Sequence, residues 1–503
     1  MRRYSVRPAI AAVALLGSLA LLAAGCSSGP RGPGGPFAGW SPARRIPGTD
    51  AFLGAAGTAG TYQHYGSLWC ASPENCTLVY PRYLSYTAPV TGWPVFSVSE
   101  VHGIWSAPRE IPGLTSRYTV IDFSCTAPGD CVAAELSGLR PAAILTEVHG
   151  AWGPPRPVPG LAALNAGGFS QISAVACGAP GWCVVAGNYW TPGTRYPLVG
   201  HNSQPFVASE RGGAWQRAQP LPGYQELNRG WFAGISVISC GGGGTCTAGG
   251  TFRSPSNNLL QPFVTTMRNG VWNPAHAITG PSVAHGNGGI RAISCTTPGN
   301  CSAAGTYSLE PLSDPDRLFV ATEKDGTWGP ATTLPGPTTV PLRSDEYPVA
   351  AISGLSCAAP GQCVIAVYKT ANSQGEYAGV TAASAYLDEQ VNGTWGAMHP
   401  IPGLAALTRS KLAEPASVSC SGPSDCSVSG YYAGRGSQHA FLVTETAGTW
   451  GQAFPVPGLA LLGGRFTTAD FVYCAPDGGC LGVGEYRPGS AFRHAGLFVT
   501  LRG

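Results

Sequence analysis

SCTTPGNCSAAG, residues 294–305, sets Cys295 and Cys301 on either side of a Pro-Gly pair. The same C-x5-C spacing recurs seven more times. It joins Cys70 with Cys76, Cys125 with Cys131, Cys177 with Cys183, Cys240 with Cys246, Cys357 with Cys363, Cys420 with Cys426 and Cys474 with Cys480. A Pro-Gly turn flanked by short β-prone runs predicts a β-hairpin, and the two cysteines staple its mouth. Directly opposed residues of an antiparallel pair have Cα atoms about 4.5–5.5 Å apart, a separation a disulfide accepts. Each small ring stabilises by roughly 2 kcal/mol in the chain-entropy picture. These eight pairs use 16 of the 17 cysteines. An even set at one spacing reads as a disulfide framework in an exported chain. Structural zinc sites keep two to four residues between paired ligands, so neither a metal nor a cofactor is expected.

A second motif alternates with the first. It reads GAWGPPRPVPG at 150–160, GTWGPATTLPG at 326–336, GTWGAMHPIPG at 393–403 and GTWGQAFPVPG at 448–458. Its tryptophans are Trp40, Trp105, Trp152, Trp215, Trp272, Trp328, Trp395 and Trp450. Such self-similarity is the mark of a repeat architecture. Each repeat parses into four short strands, named here A to D. Strand A ends at the first cysteine and B leaves the second. Strand C precedes the Gly-x-Trp, and D runs from Trp to the aliphatic-Pro-Gly. Four strands per unit and about eight units predict an all-β fold, a single eight-bladed β-propeller of four-stranded blades, with seven blades as the alternative. The chain starts with a D strand at Trp40 and ends with a C strand at Leu497–Thr500. The two are expected to pair, so that the N-terminal strand completes the last blade and removes exposed edges. Consecutive strands are antiparallel, so the A–B and C–D turns should share one uniform face. The B–C and D–A loops, which vary in length, should share the other.

The N-terminus carries Arg2, Arg3 and Arg7, an apolar run from Ala9 to Leu22, then Ala23-Ala24-Gly25-Cys26. That order describes a secretory signal over residues 1–25. The stretch before Cys26 resembles a bacterial lipobox. The resemblance implies a lipidated Cys26, a membrane anchor, and placement on the outer face of a bacterial cytoplasmic membrane or release as a secreted chain. Residues 27–38, SSGPRGPGGPFA, read as a Gly/Pro/Ser linker spanning at most about 40 Å, ahead of the propeller at 39–503. Net charge is +3 and only 11% of residues are charged, which points away from nucleic acid. The expected state is a monomer.

The C–D turn Thr322-Glu323-Lys324-Asp325-Gly326-Thr327-Trp328 resembles the Asp-box of sialidase-type propellers, Ser/Thr-x-Asp-x-Gly-x-Thr-Trp. No residue separates Asp325 from Gly326, and His102, His149, Gly212, Asn269, Asn392 or Ala447 replaces Asp325 elsewhere. The resemblance therefore implies blade geometry more than activity. The pattern over 39–503 also resembles secreted repeat proteins of actinobacteria. Sialidase-like chemistry uses clustered arginines, a Tyr with a Glu partner and an Asp acid/base. Arginines occur in six D–A segments, Arg117, Arg229, Arg291, Arg343, Arg409 and Arg465. A guanidinium cluster would hold an anion. Asp345, Glu346 and Glu485 are the acids to weigh, and Trp190 and Trp231 the loop aromatics most suited to ligand contact. Glu100, Glu147, Glu210, Glu323 and Glu445 each lie five before a Trp, and Tyr189, Phe252, Tyr307, Tyr432 and Tyr486 each lie six after a second cysteine. Both sets read as scaffold. No catalytic constellation emerges, and the expected function is a non-catalytic binding or scaffold module for an envelope protein or glycan. A glycoside hydrolase or lyase acting on an anionic glycan is the alternative.

Overall fold

The computed structural model describes residues 39–52, 66–81, 93–116, 122–134, 142–166, 169–190, 203–229, 232–280, 283, 286–309, 317–335, 346–373, 380–408, 412–434, 437–488 and 496–502. The repeat region from Phe37 to Gly503 is nearly all β. It consists of repeated antiparallel sheets in the order A-B-C-D. Numbering the units by cysteine pair, unit 5 has A at Asn287–Thr297, B at Asn300–Ser308 and C at Arg317–Lys324. Strand D comes in two pieces, Thr327–Trp328 and Thr332–Thr333, both paired to C. This break distinguishes D from the unbroken strand expected. Its prolines lack an N–H and are tolerated because D is an edge strand.

All eight predicted disulfides form, and none joins two units. Cys70 bonds to Cys76, Cys125 to Cys131, Cys177 to Cys183 and Cys240 to Cys246 in units 1 to 4. Cys295 bonds to Cys301, Cys357 to Cys363, Cys420 to Cys426 and Cys474 to Cys480 in units 5 to 8. Their Cα atoms lie 3.9–4.1 Å apart, which corrects the wider separation expected for all eight pairs. The reason lies in what the first cysteine's N–H does. In five units it donates to a serine hydroxyl of the preceding unit, as from Cys177 to Ser124 (3.0 Å) and from Cys474 to Ser419 (2.9 Å). It does not serve the A–B ladder, so the two cysteines form a non-hydrogen-bonded pair, the closer of the two kinds.

The A–B and C–D turns do share a face. The glycine of Gly-x-Trp donates its N–H to the A–B turn in six units, as from Gly326 to Gly299 O (2.8 Å). In the C–D turn the residue before that glycine is left-handed whatever its type: His102, His149, Asn269, Asp325, Asn392 and Ala447 have φ of 48–52°. Two left-handed residues in a two-residue loop are what a type I′ hairpin requires. The Asp-box likeness at Asp325 is thus a backbone constraint that the carboxylate does not carry.

Strand D leads into a feature absent from the sequence pattern. After the Pro-Gly, chains in units 2, 3, 6 and 7 make one helical turn, at Leu161–Leu164, Tyr224–Asn228, Leu404–Leu407 and Leu459–Leu462. Each follows a glycine with φ of 75–79°, a conformation natural to Gly, and each buries its first residue.

Among the described residues the apolar interior divides into eight clusters, each shared by two successive units. Unit 4 and unit 5 share Val264, Ile278, Ile290, Ile293, Ala303 and Phe319, for example. One cluster unites unit 8 (Leu481, Val483, Leu497, Val499) with unit 1 (Cys70, Leu78, Tyr80, Val98). Both faces of each sheet are buried, so strand B reads as an apolar run, as in Cys-Val-Val-Ala at 183–186. The scaffold glutamates are buried and sit opposite their tryptophans, Glu100 across from Trp105 and Glu445 across from Trp450. The aromatics Tyr189, Phe252, Tyr307, Tyr432 and Tyr486 are buried in the inter-unit clusters.

Unit 8 is assembled from both ends of the chain. Its A and B are Gly464–Cys474 and Cys480–Pro488, and its C is Gly496–Arg502. Its outermost strand is Arg44–Arg45, which pairs antiparallel with Val499 and Phe498, and Trp40 bridges to Arg502. Ala43 donates to Pro457 O (2.7 Å), as Ala218, Ala275, Ala331 and Ala453, three after their own tryptophans, donate to the preceding unit. Residues 40–45 therefore occupy the place of a D strand.

Candidate functional site

Strand A carries a β-bulge four residues before its cysteine. The extra residue is Ser173, Ser236, Arg291, Ser353, Ala416 or Asp470 in units 3 to 8. Bulges re-aim side chains and commonly lie next to functional sites. Ser173 turns its hydroxyl to Ile235 O of the next unit. Arg291 is exposed. Asp470 is only 2% exposed.

Opposite the bulge, strand B has Gly187, Gly250, Gly305, Gly430 or Gly484, because a Cβ there would run into a strand A carbonyl. Unit 1 reverses the exchange. Tyr80 takes the place on strand B (Asn75–Pro81), and Gly66 faces its ring. The space allows Tyr80 to reach across to unit 8. Its hydroxyl lies 2.6 Å from Glu485 Oε1 and 2.9 Å from Asp470 Oδ2. Arg487 holds the other side of Glu485, Nη2 to Oε2 at 3.3 Å. A phenol has one proton to give, and the two carboxyl oxygens share it as acceptors. Burial first, then the two neighbouring carboxyls, hold the Tyr80 phenol well above its ordinary pKa. That is the wrong direction for a phenolate nucleophile. Tyr80 is 3% exposed, so no substrate atom can approach it while units 8 and 1 are packed.

Other carboxyls are buried between units. Desolvation pushes Glu100, Glu147 and Glu445 up to about 7. Burial pushes Asp122 up to about 6, against the Val175 N–H 2.7 Å away that favours its charge. Glu389 accepts from His399 (3.1 Å) and Trp450 (2.5 Å); the first contact lowers the acid and raises the imidazole. Asp122 ties unit 2 to unit 3, and Glu389 ties unit 6 to unit 7. Among the described residues no group of three or more His, Cys, Asp or Glu is placed to hold a metal ion, and no helix is long and apolar enough to cross a membrane.

Of the arginines singled out above, Arg229, Arg291 and Arg465 are exposed and make no ion pair among the described residues. Arg229 caps the helical turn of unit 3 with φ of 48°, and Arg465 is a bulge residue at the start of strand A in unit 8. Cys26, Arg117, Trp231, Arg343, Arg409 and Asp345 lie outside the described residues, as does the Glu346 side chain. Trp190 corrects the expectation of a ligand-facing loop residue. It ends strand B of unit 3, pairs with Ser203 and is only 5% exposed, because the strand runs farther than its turn signals suggested. Glu485 stood out in the sequence, whereas Tyr80 and Asp470 did not. Their signals were a tyrosine at a place that is glycine in five units, and an acid at the bulge offset.

No family profile and no curated protein matches the chain. Solved structures similar to it include a polysaccharide lyase, a PL25 ulvan lyase bound to -[GlcA(1-4)Rha3S]- (10% identity, TM-score 0.42, 73% of this chain and 89% of that one). Others are the subtype N11 neuraminidase-like protein of a flat-faced bat H18N11 strain (12%, 0.38, 73% and 96%) and the NanB sialidase of Streptococcus pneumoniae (9%, 0.32, 92% and 70%). None of these likenesses bears on what this chain does.

Proposed function

We propose that the eight units form a closed eight-bladed β-propeller, exported and tethered through a lipidated Cys26, that binds an envelope protein or glycan without catalysis. The observation that carries the non-catalytic reading is the state of the Tyr80 group. Its nucleophile candidate is protonated, engaged by both carboxyls and sealed between units. Exposed cations such as Arg229, Arg291 and Arg465 instead suit an anionic ligand. The ring is supported by the cluster shared by units 8 and 1 and by the pairing of the two chain ends. The tether enters on the uniform face, which leaves the variable face outward.

The second reading is a hydrolase or lyase on an anionic glycan. The gathering of Tyr80, Glu485, Asp470 and Arg487 favours it, and it requires units 8 and 1 to part. One experiment separates the two. The full-length protein and Tyr80→Phe are screened for binding to, and cleavage of, anionic glycans. The binding reading expects retained glycan in both and no cleavage. Cleavage by the parent that is lost in Tyr80→Phe would establish the enzyme.

A further inference from the structure

The uniform face carries aliphatic side chains at its hairpin tips, where flanking polar residues are the ordinary choice for a turn in water. Ile104 is 75% exposed, Val271 63%, Val148 55%, Val391 53% and Val101 46%. They flank the type I′ turns of units 1, 2, 4 and 6. Unit 1 has two of them and unit 2 the next. At the residue before the turn, units 3, 4 and 5 carry Arg211, Arg268 and Lys324 instead. Two of these cations lean onto the following unit, Arg211 to Gly270 O and Arg268 toward Glu323 (4.0 Å).

The N-terminal segment joins on this same face. Trp40 bridges to Arg502, and the Arg502 guanidinium donates to Asp425 in the A–B turn of unit 7 (3.1 Å). The join is in unit 8, which packs on unit 1 and its aliphatic tip. Residues 1–38, which precede it, hold the apolar run, Cys26 and the linker. A linker of 12 residues, 27–38, keeps this face within about 40 Å of its anchor point.

We infer that the uniform face is a membrane-contacting surface, with the tips at Val101, Ile104 and Val148 entering the headgroup region of the bilayer. The inference rests on the anchoring of Cys26 proposed above. A Val101–Ile104 pair on one hairpin tip and a lone valine on the next present no broad apolar floor for a protein partner. They are suited to dip between lipid headgroups, where each gains by leaving water. A tether supplies the high effective concentration that makes such weak contacts persist.

The test uses the full-length protein on vesicles of phosphatidylcholine with phosphatidylglycerol, with and without bromine on the lipid chains. Ile104→Trp puts a fluorophore on a tip. Leu461→Trp puts one at an exposed residue of the helical turn after strand D of unit 7, on the opposite face. The expected result is roughly half or more of the added Ile104→Trp emission quenched by brominated lipid, and none of the Leu461→Trp emission. Equal quenching of the two, or none at Ile104→Trp, overturns the surface. So does a concentration-dependent dimer that buries the Ile104→Trp tip without quenching it. Mass spectrometry of the N-terminus separates the two layers. Quenched tips with an unmodified Cys26 keep the surface and remove the anchor. A lipidated Cys26 with unquenched tips keeps the anchor and removes the surface.

Discussion

Strands C and D are joined by a two-residue turn in units 1 to 7 and by pairing alone in unit 8. The difference shows what holds a D strand in place. In unit 5 the tight turn fixes Thr327–Trp328 against the end of C, and Ala331 adds one bond to the unit before. In unit 8 the covalent turn is replaced by side-chain ties. Trp40 Nε1 donates to Thr444 (3.1 Å), Thr500 to Ser41 O (2.6 Å), Leu501 N–H to the Ser41 hydroxyl (3.0 Å) and Leu497 N–H to Thr49 (3.0 Å). Next to it, Tyr80 links units 1 and 8 by polar contacts. Where the chain supplies no connector, hydrogen bonds and buried aromatics do.

The largest effect should come from removing the unconnected strand. Deleting residues 39–48 strips Trp40, Ala43 and Ile46 from the core and re-exposes a sheet edge. Chemical denaturation should show a loss above about 5 kcal/mol, whereas deleting residues 27–38 should leave the midpoint unchanged. Equal stability of the two truncations would dissolve the contrast between unit 8 and the rest. Next in size is Trp40→Ala, expected to cost about 3–5 kcal/mol. Trp215→Ala, half-buried on a strand held by its turn, should cost clearly less in the same denaturation series.

Tyr80→Phe should cost about 1–3 kcal/mol at neutral pH, because it leaves Asp470 and Glu485 facing each other without the hydroxyl between them. Tyr307→Phe, which gives up one contact to Thr333, is the comparison inside an ordinary unit and should cost no more than about 1 kcal/mol.

A pH-dependent effect concerns the position opposite the tryptophan. It is Glu445 in unit 7 and Arg502 in unit 8. Burial raises Glu445 from 4.5 to about 7, so between those pH values the folded chain binds more protons than the unfolded one. Its contribution to stability is therefore intact below pH 4.5 and declines as pH rises to about 7. Glu445→Gln should flatten that part of the profile and add on the order of 2 kcal/mol at pH 8. Thermal melts from pH 4 to 8 would read it, and a parallel decline in both proteins would assign the dependence to another group.

Much of this fold was legible in the sequence because its signals are local. A C-x5-C across a tight turn brings its own two cysteines within bonding reach, and a Gly-x-Trp turn needs φ above zero whichever residue precedes the glycine. The pairing of Trp40's segment with Leu497–Thr500 followed from counting strands. The bulge at Asp470 was not visible because one extra residue leaves the apolar pattern of strand A nearly intact. The helical turns after Pro-Gly, such as Leu161–Leu164, are too short to show a helical period. The Tyr80 group was missed for a different reason. Its members are about 400 residues apart and meet only through the packing of unit 8 on unit 1. Trp190 misled because a break in the repeat resembled a loop, when strand B merely continued.

Hydrogen–deuterium exchange tests the joining of the chain ends most directly. The amides of Ser41, Ala43 and Ile46 bond to Leu501 O, Pro457 O and Leu497 O. They should exchange as slowly as those of Ala275 and Ala331 in the interior D strands. Exchange of residues 41–46 within seconds, while Ala275 and Ala331 stay protected, would contradict the pairing of the first and last strands.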